Sequence, residues 1–331
     1  MQLKLNIMAI LDIIRKPITA ELTLFREQFD ARLSHTNPLL DQVLRGVGER
    51  KGKMMRPMLT LLAAKLFSEA NERTLHTACA FEYFHTASLL HDDVVDESEK
   101  RRGEASVNAA FGNKVAVLVG DYILALALEE ASLAESTRLV NIISHSSQEL
   151  ANGELLQLHN IRNYNLSEDV YFDIIRNKTA ALFSGCAEAG AMSVGAQESD
   201  LQNLYAFGDL IGLCFQIRDD IFDYNNDESI GKPTGNDMKE GKLTLPAIYA
   251  LNAAGNDEML AIARKVKNSE VTAQEVERLV AFTKEKGGIE YAQRKMAELA
   301  DKAKSLLDIY PDSDTKQALC AYADFVVGRT I

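Results

Sequence analysis

The chain has 331 residues, 47% of them hydrophobic, with 6 prolines, no tryptophan and a formal net charge of −12. That length is long for one domain and short for two, and the apolar share supports a large core. The acidic balance argues against nucleic acid and an anionic membrane surface as electrostatic partners, and an anionic substrate would need local Lys and Arg, or metal ions, to approach.

The opening stretch, MQLKLNIMAILDII, is interrupted by Asp12 and followed by Arg15, with no small-residue cleavage site, so it reads as a first helix and not a signal peptide. Leu22, Phe25, Phe29 and Leu33 recur at helical spacing, as do Leu59, Leu62, Ala63, Leu66 and Phe67. Val115 to Leu128 is apolar nearly all round, the pattern of a central helix buried on every side. No apolar run reaches the ~18 residues that span a bilayer. Breakers at Asn37-Pro38, Lys51-Gly52, Gly103, Gly112-Asn113, Asn163 to Asn165, Gly231 to Gly235 and Gly287-Gly288 divide the chain into helices of about 12–25 residues. With no linker and no strand-like alternation, residues 1–331 read as one all-α domain. The one long polar loop, Asn225 to Lys242, is a candidate lid. Cys79, Cys186, Cys214 and Cys320 form no CxxC pair and sit among apolar residues, as free thiols do in a reducing, cytoplasmic compartment.

Two acidic clusters carry the chemistry. In HDDVVDESEKRRG (91–103), Asp92 and Asp96 are four apart and share a helix face, where like charges destabilise by roughly 0.2–0.5 kcal/mol. Alone, the motif reads equally as a solvated acidic face. However, CFQIRDDIFD (214–223) repeats the DDxxD spacing in Asp219, Asp220 and Asp223, again within apolar sequence. Carboxylates without His or Cys partners suit a hard cation, Mg²⁺ above Ca²⁺ if phosphates complete its shell. Two facing helices could hold several such ions against a diphosphate. Cations stand nearby in sequence: Arg101 and Arg102 after the first cluster, Lys178 beside Thr179, Lys232 and Lys242 flanking the polar loop, and Lys53 and Arg56 before a helix start. Singly each reads as a solvated surface charge; together they read as two phosphate sites.

These pieces resemble the trans-isoprenyl diphosphate synthases, the polyprenyl synthetase family. GKMMRP (52–57), HTASLLHDDVVD (85–96), RRG (101–103), GNKVAVLVGD (112–121), GE (153–154), KT (178–179), FQIRDDIFD (215–223) and GKPTGNDMKEGKLTLP (231–246) stand in the family's order. Lys51 and Met54 depart from the family's frequent GGKRLRP, while Lys53 and Arg56 keep it. The resemblance implies an isoprenoid-synthase fold, antiparallel helices around a deep central cavity, usually as a homodimer. It implies head-to-tail condensation of an allylic diphosphate with isopentenyl diphosphate, with three Mg²⁺ per active site. On the matching positions, Asp92, Asp96 and Asp219 are the principal metal ligands, and Asp93, Asp220 and Asp223 support them. Arg101, Lys178 and Lys242, with Lys232 nearby, contact the allylic diphosphate. Lys53, Arg56, His85 and Arg102 contact isopentenyl diphosphate, while Thr179 and Gln216 position the reacting end. His91 is assigned to packing or hydrogen bonding, not to a base role.

Product length follows from the helix below Asp92, where one turn rises about 5.4 Å, close to one isoprene unit. Ala87 and Ser88, one turn down, are small, and Phe84 and Phe81 lie deeper. The expectation is an all-trans product of about C30 or longer, given that depth in turns. Such a product suits a quinone side chain by family analogy and implies transient membrane contact on release. The rivals are a short-chain C15 or C20 synthase, a class I terpene cyclase and a non-catalytic partner subunit. The second diphosphate site opposes the cyclase, and two intact clusters oppose the inert subunit.

Overall fold

A computed structural model describes residues 2–49, 52–162, 165–224 and 234–328. In chain order its elements are α1 (Gln2–Arg15), a 3₁₀ turn (Lys16–Ile18), α2 (Thr19–Ala31), α3 (Pro38–Glu49), α4 (Met55–Lys65), α5 (Glu72–Val95), the strands β1 (Lys100–Arg101) and β2 (Glu104–Ala105), α6 (Val107–Phe111), α7 (Asn113–Leu133), α8 (Thr137–Arg162) and α9 (Glu168–Ile175). A π-helical turn (Arg176–Ala180) follows, then α10 (Ala181–Ser193), α11 (Glu198–Phe222), α12 (Asn236–Lys239), α13 (Leu245–Ala254), α14 (Asp257–Lys267), α15 (Ala273–Glu285), α16 (Gly288–Leu306) and α17 (Asp314–Gly328). The fold is all-α, as the periodicity predicts. The short antiparallel hairpin pairs Lys100 with Ala105 and Arg101 with Glu104.

One buried apolar cluster runs from Ile14 on α1 to Val326 on α17. Its closest packings are α5 on α7, α10 on α11, α11 on α16 and α4 on α10. α5 starts with a reciprocal capping box between Asn71 and Thr74, which satisfies two orphan N–H groups. It ends at Asp96, with no basic residue in its last turn, and α11 likewise ends at Asp223 with none. Both acid clusters therefore sit at helix C-termini, where the macrodipole disfavours negative charge. Local helix stability does not explain them.

The expectation for Val115 to Leu128 needs correction. Ala116, Val119, Ile123, Leu126 and Ala127 are buried, but Val117, Leu118 and Leu128 are 39%, 68% and 50% exposed. The chain covers one face of α7 and leaves an apolar outer face uncovered. The cysteines are free, with Cys79, Cys186 and Cys214 buried and Cys320 partly so. Among the described residues no helix is long and apolar enough to cross a membrane.

Candidate active site

The C-terminal ends of α5 and α11 bring the two acid clusters into one electrostatic neighbourhood. Asp92 feels Glu154, Lys178, Asp96 and Arg101, while Lys242 feels Asp96 and Asp237. Burial, and next Glu154, push the Asp92 carboxyl up to about 6, while Lys178 pulls it back. For Lys242, burial works against the charge, but Glu240, bonded at 2.7 Å, outweighs it and raises the ammonium. Anions and cations thus alternate around a common space.

Three of the six aspartates are set apart by their hydrogen-bond partners. Asp93 is buried, at 1% exposure, and its Oδ1 accepts from Arg101 Nε at 2.7 Å and Nη2 at 2.6 Å. Its backbone carbonyl also accepts from Asn108 Nδ2. Asp93 therefore orients Arg101. Asp223 accepts backbone N–H bonds from Asn236 at 2.9 Å and Asp237 at 3.1 Å, anchoring the start of α12. Asp220 accepts from Tyr171 Oη at 2.5 Å and from Gln216 Nε2 at 2.8 Å. Gln216 in turn accepts from Thr179 Oγ1 at 2.7 Å. A chain of hydrogen bonds thus links the buried Tyr171 to Thr179, the residue expected at the reacting end. Burial lifts Asp220 to about 7, against the pull of Tyr171 and Gln216.

Lys178 and Thr179 stand on the π-helical turn, an irregularity frequent at functional sites. Gly153 lets α8 approach that turn: a Cβ there would lie 2.6 Å from the Lys178 backbone nitrogen. The next residue, Glu154, bonds Lys178 Nζ at 2.6 Å. This explains the GE pair. Lys178, Gln216, Asp220 and Lys242 line a cavity of about 110 Å³ that also receives Tyr171, Asp237 and Lys267.

A second cavity, of about 70 Å³, is lined by Gly52, Met54, Glu82, His85, Arg101 and Arg102 among others. Arg56 lies behind it, donating from Nη1 to His85 Nε2 at 2.9 Å, its guanidinium 4.7 Å from the Phe183 ring centroid. Burial, reinforced by Arg56, Arg102 and Arg101, holds His85 well below its ordinary range, so it is a neutral acceptor. Lys53 Nζ lies 5.6 Å from the Phe325 ring centroid on α17. Two non-glycine residues in left-handed backbone, Met54 (φ 56) and Arg102 (φ 53), flank the cavity, a conformation rare for side-chain-bearing residues.

On α5 below Asp92, Ser88 is one turn down and partly exposed, with its hydroxyl bonded to the His85 carbonyl. Ala87, Phe84 and Phe81 are buried. His91 turns to α7, with Nε2 3.4 Å from Asp121 Oδ1, in space that only a glycine at 120 leaves open. Lys232 lies outside the described residues, as does 225–233 of the polar loop. The residues missed in the sequence are Tyr171, Glu154, Asp237 and Glu82. Of these, Glu154 and Asp237 lay inside quoted motifs. Burial, then Asp220 and Asp223, lift Asp237 to about 8. Among the described residues no three His, Cys, Asp or Glu side chains converge as a ready metal cage.

The polyprenyl synthetase profile matches residues 37–282. An octaprenyl diphosphate synthase of Haemophilus influenzae is 36% identical over 327 residues, 98% of this chain and 99% of that one. A geranylgeranyl pyrophosphate synthase structure from Bacteroides thetaiotaomicron is similar with a TM-score of 0.86 and 48% identity, covering 97% of this chain and 100% of that one. A decaprenyl diphosphate synthase structure from Rhodobacter capsulatus gives a TM-score of 0.89 at 36% identity, covering 96% and 98%.

Proposed function

The chain belongs to the polyprenyl synthetase family, and we propose that it condenses an allylic diphosphate with successive isopentenyl diphosphates into an all-trans polyprenyl diphosphate, of about C30 or longer on the helical depth below Asp92. The observation that carries this reading is the pairing of two acid-ended helices, α5 and α11, with two separate cationic pockets. One pocket is lined by Lys178 and Lys242 and the other by Arg102 beside the neutral His85, with Arg101 on the wall of the second and close enough to act on Asp92 of the first acid cluster. Octaprenyl, nonaprenyl and heptaprenyl diphosphate synthases among the relatives support a long product. A short-chain product is the second reading, favoured by the geranylgeranyl synthase likeness at 48% identity.

The donor type fits Mg²⁺: both clusters offer carboxylates without His or Cys, and phosphate oxygens would complete the shell. Asp92, Asp96 and Asp219 would hold it, three ions per site by family analogy. Bound Mg²⁺ would neutralise the charge that develops on the departing diphosphate. Arg101, oriented by Asp93, and Lys178, oriented by Glu154, add fixed positive charge to that diphosphate. Thr179 and Gln216 present their linked polar groups beside the reacting carbon. His85, a neutral acceptor, holds Arg56 toward the second diphosphate. An apolar cavity below Asp92 would exclude water from the allylic cation. The proton lost after attack goes to the departed diphosphate.

The exposed apolar face of α7 supports a homodimer, which light scattering would test. The buried thiols fit a cytoplasmic enzyme. The deciding experiment incubates the chain with Mg²⁺, a C15 starter and labelled isopentenyl diphosphate. Long labelled products are expected. C20 as the end point would establish the short-chain reading, and unlabelled hydrocarbons would mark a cyclase.

A further inference from the structure

We infer that Glu82 is a resident counter-ion of the second-diphosphate pocket, one that stabilises the buried Arg56 and Arg102 while the pocket is empty and moderates its grip on the incoming diphosphate. This rests on the function proposed above and deepens it at the isopentenyl diphosphate subsite.

Glu82 lies three residues before His85 on α5, so the two share a helix face, and both line the cavity that receives Gly52, Met54, Arg101 and Arg102. Among the described residues, the acids on that wall are Glu82 and Asp93. Asp93 is engaged by Arg101 at 2.6 Å. His85 brings no negative charge, and its Nε2 already accepts from Arg56. Arg56 Nε is buried without a hydrogen-bond partner. Arg102 packs so closely on Gly52 that a Cβ there would lie 2.7 Å from its Nη2. For both arginines burial is the largest influence, lowering them, and attraction to Glu82 comes next. Burial in turn raises the Glu82 carboxyl, and Arg56 and Arg102 pull it back.

A carboxylate on the wall of an anion pocket repels the ligand. Its use lies in the empty state. Guanidiniums withdrawn from water without a counter-ion destabilise a fold, and chain elongation empties this pocket once per addition. With Glu82 on the same wall, the incoming diphosphate meets guanidiniums whose charge is already partly offset instead of a bare cationic hole. Affinity is thereby held down. Arg56 keeps its place without Glu82, because Phe183 and His85 hold it. Removing the charge therefore removes repulsion before it removes geometry.

The test is Glu82→Gln in the full chain, titrated with isopentenyl diphosphate and melted with and without it. The expected result is a Kd about tenfold lower, from loss of one like-charge contact at short range. The ligand-free melting temperature falls, the ligand-induced rise grows, and KM for the allylic starter stays within about twofold of wild type, since one pocket alone is altered. Glu82→Asp, which keeps the charge, binds like wild type. Unchanged or weaker binding in folded Glu82→Gln overturns the inference. Should Glu82→Gln fold poorly, adding Arg102→Gln restores ligand-free stability; no restoration also overturns it. A wild-type chain that neither binds nor consumes isopentenyl diphosphate refutes the functional reading itself. Wild-type turnover with an inert Glu82 refutes only the counter-ion.

Discussion

Tyr171 donates its hydroxyl proton to Asp220 Oδ2 at 2.5 Å, and both groups are buried. This bond ends the chain that runs through Gln216 to Thr179. Tyr171→Phe keeps the packing and strands one carboxylate oxygen. It should cost about 1–3 kcal/mol of stability in urea denaturation and, if Asp220 serves the proposed metal site, lower turnover about 10–100-fold. Wild-type turnover in the folded variant would show that the chain does not reach the reacting end.

Adjacent aspartates should behave in opposite ways. Asp93 is buried against Arg101, which is one-third exposed. Asp93→Asn should destabilise by about 1–3 kcal/mol, less than a fully buried pair would, and raise KM for the allylic diphosphate. Burial already disfavours the charge on Asp92. Asp92→Asn should leave metal-free stability unchanged or higher, yet cut turnover by at least about 10²-fold through lost transition-state electrostatics. Thermal melts and single-turnover rates on the two variants separate the roles.

Gly153→Ala asks for one methyl group where the backbone nitrogen of Lys178 stands 2.6 Å away. Backbone cannot swing aside as a side chain can. The variant should lose about 1–3 kcal/mol as an overpacked contact and lose turnover through displacement of Lys178 and Thr179. Ala151→Ser, at an exposed position on the same helix, should do neither. An equal effect of both would place the cause in α8 generally.

The helices and both DDxxD clusters were legible because their signals are local: spacing of three and four, and acids ending apolar runs. The division of labour among the six aspartates was not, because it is made by partners distant in the chain. Tyr171 reaches Asp220 from α9, and Asp237 joins the second cluster from α12. Glu154 was visible as part of a motif, but its pairing with Lys178 depends on the close approach at Gly153. The outer face of α7 shows a limit of periodicity: an all-round apolar helix records that every face is apolar, not that this chain covers every face. Glu82 carried no signal, since an acid inside an anion pocket makes sense only beside Arg56 and Arg102.

The exposures of the residues below Asp92 refine the expectation for product length. Ser88 is four residues before Asp92, so it lies directly below it, and it is partly exposed, whereas Ala87 is buried in the core. Ser88→Phe should therefore shorten the product more cleanly than Ala87→Phe, which must also displace core neighbours at a cost of about 1–3 kcal/mol. Chromatography of products from one starter gives the lengths, and melting temperatures give the cost. If Ala87→Phe shortens the product without loss of stability while Ser88→Phe does not, the tunnel runs along the other face of α5.

Lys267 is a buried lysine at 6% exposure whose ammonium donates to the Asn160 carbonyl at 3.1 Å. Burial lowers it to about 8 from an ordinary 10.5. The folded chain sheds this proton before the unfolded chain does. Between those two pH values unfolding therefore takes up a proton, and stability rises with pH. The contribution is present in full above 10.5 and is lost as pH falls through about 8. Lys267→Met removes the proton and its slope. At pH 7 the variant should be more stable than wild type by about 1–2 kcal/mol, a figure discounted for screening at the cavity edge. By pH 10 the gap should close or reverse, because wild type keeps a neutral amine bonded to Asn160. Tyrosine ionisation in the same range is common to both chains and cancels in the difference. Urea denaturation of the two at pH 7 and pH 10 measures it, and parallel stability curves would mean that Lys267 keeps an ordinary proton affinity.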